Sequence, residues 1–118
     1  MKDYSGHFRN LVEAQVPDDS RILTPRGGQD MMILASWRLP ADAFRASKRS
    51  RMIRIVINEE ALQDYARGSD ETRHASDERF GAWLRRQLST FDPNHDSPLG
   101  VEPTPVTWPV STHILNGP

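Results

Sequence analysis

The stretch Arg51–Glu60, RMIRIVINEE, holds a strand and the start of a helix within ten residues. Ile53, Ile55 and Ile57 alternate with Met52, Arg54, Val56 and Asn58. A period of two marks a strand with one apolar face. The alternation stops at Asn58, and Glu59 and Glu60 follow. Asn is a favoured helix N-cap, and acids in a first turn meet the positive end of the helix dipole. The stretch therefore predicts a strand, 51–58, and a helix from 59 to about 67, with Ala61, Leu62, Tyr65 and Ala66 inward and Gly68 just past its end.

Upstream, MMILASWRL, residues 31–39, alternates in the same way. Met31, Ile33, Ala35, Trp37 and Leu39 form one apolar face, and Met32, Leu34, Ser36 and Arg38 form a mixed one. A shorter strand at 20–24 precedes it, separated by PRGGQD, whose glycines suit a hairpin turn. Before that, residues 4–16 space Tyr4, Phe8, Leu11 and Val12 at helical intervals up to Pro17. Downstream, Phe80, Trp83, Leu84, Leu88 and Phe91 form the clearest helical stripe in the chain. Ser76, followed by Asp77 and Glu78, reads as the cap of that helix, and Pro93 ends it.

These elements predict an α+β domain over residues 1–92. Its order is α-β-β-β-α-α, a three-stranded antiparallel sheet packed against helices. The predicted core includes Phe8, Leu11, Ile33, Trp37, Ile53, Ile55, Ile57, Trp83, Leu84 and Leu88. Residues 93–118 differ in character: six of the nine prolines fall between 92 and 118. This segment reads as an extended Pro-rich arm, excluded from a central strand by its prolines. Val101, Val106, Trp108, Val110, Ile114 and Leu115 make it too apolar for a solvated tail, so it is expected to pack on the domain or on a partner.

Charge is distributed unevenly. The net charge is −1. Residues 1–58 carry ten Lys or Arg against six Asp or Glu, whereas 59–118 carry five against ten. Between 45 and 54 stand Arg45, Lys48, Arg49, Arg51 and Arg54 with no acid. Such a cluster suits an acidic protein surface or, as the alternative, the phosphates of a nucleic acid. Met32, Leu34, Met52 and Val56 share the mixed strand face, and with Trp108 of the arm they are the apolar interface candidates.

Signatures of chemistry are lacking. The chain has no cysteine, which excludes disulfides, thiolate metal sites and cysteine nucleophiles. No nucleophile elbow, phosphate-binding loop or dinucleotide fingerprint occurs. DPNHDS, 92–97, begins with calcium-loop spacing but has Ser97 and Pro103 where Gly and Glu are required. His7, His74, His95 and His113 show no helical zinc spacing. No catalytic residue, metal site or cofactor is predicted. The expectation is a small cytoplasmic protein of bacterial composition, a non-catalytic protein-binding module that serves as adaptor, regulator or inhibitor of a larger assembly. It would act as a homo-oligomer, and its partner would be another protein or a second copy, met through an acidic surface.

Overall fold

A computed structural model describes residues 3–25, 29–39, 49–93 and 104–117. Helix α1 spans Ser5–Glu13, β1 Ser20–Leu23, β2 Met31–Trp37 and β3 Ile53–Ile57. Then come α2 Glu59–Arg67, α3 Asp70–Thr90, β4 Val106–Val110 and α4 Thr112–Asn116. The α+β class holds, but the sheet has four strands and is mixed. Its spatial order is β1-β2-β3-β4. β2 runs antiparallel to both β1 and β3, with Ala35 opposite Ile22 of β1 and Ile33 opposite Ile55 of β3. β4 runs parallel to β3, with Trp108 opposite Ile55.

The fourth strand corrects the three-stranded expectation, and its geometry shows why proline is tolerated there. β4 lies at an edge and needs hydrogen bonds on one side only. Pro109 sits at an exposed position of that edge, where a missing N–H costs nothing and a further strand is discouraged. A parallel partner requires a long crossover, and α2 and α3 supply it.

A second correction concerns α3. It begins at Asp70, two turns before Ser76, because Ser69 is the cap and accepts from the Thr72 amide at 3.2 Å. Asp70 and Glu71 then occupy the dipole-favoured first turn, and Ser76 is buried inside the helix. Asn58 caps α2 as its sequence suggests, accepting from the Ala61 amide at 2.8 Å. Gly68 ends α2 in an extended conformation, φ −73°. A Cβ at this position would run into the Thr72 hydroxyl, so any larger residue requires the Thr72 side chain to turn away.

One layer of helices packs on one face of the sheet. Ile33, Ala35, Trp37, Ile53, Ile55, Ile57, Trp108 and Val110 line that face, all buried. Phe8 and Val12 of α1, Leu62 and Tyr65 of α2, Phe80, Trp83 and Leu84 of α3 and Leu115 of α4 close over it. Leu11 and Leu88 are only partly buried, at the margins of this core. An aromatic chain ties the layers: Phe91 meets Trp37 and Trp108 edge-on, at 5.9 and 5.4 Å between centroids. α4 is fastened to α2 by polar contacts, with Thr112 donating to Asp64 at 2.6 Å and Asn116 to the Ala61 carbonyl at 3.1 Å.

Candidate interaction surface

Alternation along a strand sends every second side chain to the opposite face of the sheet. The register defines that second face: Leu23 opposite Leu34, Arg21 opposite Ser36, Met32 opposite Val56 and Arg54 opposite Leu34. Thr107 and Pro109 of β4 lie beside Arg54 and Val56. Met52, just before β3, joins them and accepts the Val106 amide through its carbonyl at 3.0 Å. Among the described residues, no helix packs on this side, and the core is drawn entirely from the other. Met32, Leu34, Met52 and Val56 are half-buried. Leu23, at 48% exposure, is the one large apolar side chain described as exposed.

The sequence pattern identifies Met32, Leu34, Met52 and Val56 as members of this face. It does not identify Leu23 or Arg21, because a four-residue strand has too little periodicity to show which side each residue takes. The signal that finds them is register: once β1 is paired with β2, Leu23 must stand beside Leu34. Trp108 lies elsewhere. It points to the core face, 9% exposed, against Trp83 and Phe91, so its ring is not part of the second face.

The basic cluster separates into different roles. Arg45 and Lys48 lie outside the described residues. Arg49 is turned to the sheet, donating to the Ser36 hydroxyl at 3.1 Å and the Ser36 carbonyl at 2.7 Å. It extends β2 pairing through a bridge between Arg38 and Arg49. Arg51 donates its backbone amide to the Pro93 carbonyl at 2.9 Å. Arg54 stands in the middle of the second face. The Nε atoms of Arg51 and Arg54 are shielded from solvent and meet no acceptor among the described residues. Arg21 is also on the face and exposed, and no acid is among the strand residues that point there.

A second feature lies on the helical side, a cleft of about 360 Å³ lined by Tyr4, His7, Tyr65, Asp70, Arg73, His74 and Asp77, with Asp3 at its rim. Its polar groups serve the junction of three helices. Asp77 accepts from the Tyr65 hydroxyl at 2.9 Å and pairs with His7 at 2.9 Å, joining α3 to α2 and α1. Arg73 donates to the Ala66 and Gly68 carbonyls at the end of α2 and to Asp70 at 2.6 Å. Among the described residues, no three His, Cys, Asp or Glu side chains are grouped to hold a metal ion. No helix among them is long and apolar enough to cross a membrane.

Burial, reinforced by the hydrogen bond to Asp77, raises the Tyr65 phenol well above its ordinary value of 10.0. The sign follows from linkage. A group whose folded pKa is raised binds its proton more tightly when folded. Its contribution is complete below pH 10.0 and is lost as pH rises toward the folded value. The urea midpoint is therefore expected to fall between about pH 10 and 11, and Tyr65→Phe is expected to remove that part of the slope while costing roughly 1 kcal/mol at pH 7. Urea titrations of both proteins at pH 7 to 11 check this, and equal alkaline slopes would contradict it.

The chain matches no protein-family model, and no curated protein or solved structure is similar to it.

Proposed function

We propose that this protein is a non-catalytic protein-binding module whose contact surface is the second face of its sheet. One observation carries the reading: that face has an apolar centre of Met32, Leu34 and Val56 with Leu23 at its edge, and among the described elements nothing covers it. Contiguous apolar patches rimmed by polar groups mark protein contacts. Arg21 and Arg54 stand on this face, with the nearby Asp19 already paired to Arg38 at 3.3 Å, and the two cations suit a partner that offers carboxylates. The adaptor or regulator role of such a module is part of the same reading, as is self-association.

The test is Val56→Glu, which places a charge in the centre of the patch and leaves the buried face untouched. Light scattering after size exclusion is expected to give the wild-type chain a mass above its 13.4 kDa monomer. The variant is expected to run as a monomer with an unchanged circular dichroism spectrum. Equal masses for the two proteins, together with identical sets of proteins retained on each as bait, would overturn the reading.

A further inference from the structure

The chain has four asparagines, and only Asn116 precedes a glycine. Both residues have a structural reason to stand at the end of α4. Asn116 is half-buried, and its amide donates to the Ala61 carbonyl of α2 at 3.1 Å and to the Thr112 hydroxyl at 3.1 Å. The Thr112 hydroxyl donates in turn to Asp64 of α2 at 2.6 Å. Gly117 has φ 87°, a region in which a side chain is strained. An added Cβ there would also stand 3.4 Å from the Arg79 guanidinium.

That pairing carries a chemical liability. An asparagine amide is thermolabile, and glycine, without a Cβ, lets its backbone approach the preceding side chain closely. The Gly117 nitrogen attacks Cγ of Asn116 and loses its proton to water. The Cγ–Nδ2 bond breaks, ammonia leaves and a cyclic imide remains. Water then opens the imide at either carbonyl, which gives aspartate or isoaspartate. The sum is amide plus water to carboxylate plus ammonium, with no redox change.

In the folded chain both reacting groups are held. The Gly117 N–H donates to the His113 carbonyl at 3.1 Å. The Asn116 Nδ2 is engaged twice, and its Oδ1 accepts from the Ser76 hydroxyl at 3.4 Å. We propose that Asn116–Gly117 is a self-modification site guarded by the docking of α4, and that its modification releases α4 from α2 irreversibly. A carboxylate at 116 has no proton to give Ala61 or Thr112, and it meets the Ala61 carbonyl oxygen against oxygen. Arg79 of α3, which reaches Ser76 and the Leu115 carbonyl, draws the new charge away from α2. Isoaspartate also lengthens the backbone at the point where Leu115 is buried.

Incubation in mildly alkaline buffer, with and without urea above the unfolding midpoint, tests this. Peptide mass spectrometry reads the exchange of amide for acid at Asn116, with the peptides of Asn10 and Asn58 as internal references. The folded chain is expected to react at least about tenfold more slowly than the unfolded one, since the reactive form is reached only by opening. Thr112→Ala removes one tie of Asn116 and the link to Asp64. It is expected to speed the folded-state reaction several-fold and leave the unfolded-state rate unchanged. Asn116→Asp, the product itself, is expected to melt below wild type, with faster hydrogen exchange along α4. Equal folded and unfolded rates, or a Thr112→Ala chain that reacts like wild type, would overturn the guard. An Asn116→Asp chain with the melting temperature and α4 exchange of wild type would overturn the release. No modification at Asn116 even in urea would remove the site altogether.

Discussion

A chain ending at Pro93 is expected to lose its cooperative unfolding transition. The reason is that β4 and α4 are structural members of the domain. Removing them strips β3 of its parallel partner along five registered positions, Ile53 to Ile57. It also removes Trp108, Val110 and Leu115, which are 9%, 1% and 0% exposed. Burying a large apolar side chain contributes about 1.5–3 kcal/mol, so these three together supply roughly 5–9 kcal/mol. A domain of this size has about 5–15 kcal/mol in total. Trp83 and Phe91 would lose the indole they pack against at 6.3 and 5.4 Å, and α2 would lose its ties to Thr112 and Asn116. Thermal scans and near-ultraviolet dichroism of the two chains provide the comparison. A sharp transition in the shortened chain within a few degrees of the full one would show that residues 104–117 are only appended.

That segment also shows where the sequence was hard to read. VTWPV alternates Val106, Trp108 and Val110 against Thr107 and Pro109, with the same period of two that reveals β2 and β3. Proline density hides the pattern, because proline is judged by what it forbids in a central strand. At an edge the prohibition lapses. The parallel partner is equally hidden, since nothing local announces a pairing across two helices. Conversely, β3, its Asn58 cap and the start of α2 were legible because strand period, cap and dipole are all local effects. The start of α3 was ambiguous for a local reason too. Ser69-Asp70-Glu71 and Ser76-Asp77-Glu78 present the same capping signal. Tertiary contacts decide between them: Arg73 closes on the end of α2 only if the helix is already formed at that point.

The proposed interaction surface was legible to a similar depth. Its central residues, Met32, Leu34 and Val56, follow from alternation alone. Its rim does not, because Leu23 and Arg21 acquire a face only through pairing with β2. The basic run from 45 to 54 looks uniform in sequence, yet backbone direction assigns its members differently. Arg49 is used by Ser36, whereas Arg54 points to the open side. Linear charge density therefore overstates the surface, and strand parity selects from it.

Phe80→Ala is expected to cost about 3–5 kcal/mol, the largest effect of any single substitution considered. Phe80 is 0% exposed at the middle of α3. Its ring meets Phe8 edge-on at 5.5 Å and stacks on Trp83 at 5.8 Å, so it joins α1 to the aromatic chain under the sheet. A packed interior does not collapse freely into such a gap, and the cavity adds to the lost transfer energy. At about 4 °C per kcal/mol, the melting temperature should fall by roughly 12–20 °C. Leu88→Ala, at the margin of the core, should cost less than half as much. A fall of only a few degrees for Phe80→Ala would mean that α1 is loosely docked. The same pair of measurements separates the two faces of the sheet. Phe80→Ala lowers the melting temperature and, below it, leaves the solution mass unchanged. Val56→Glu changes the mass and leaves the melting temperature of the monomer nearly unchanged. Only a sheet with one face committed to folding and the other to contact produces that crossed pattern.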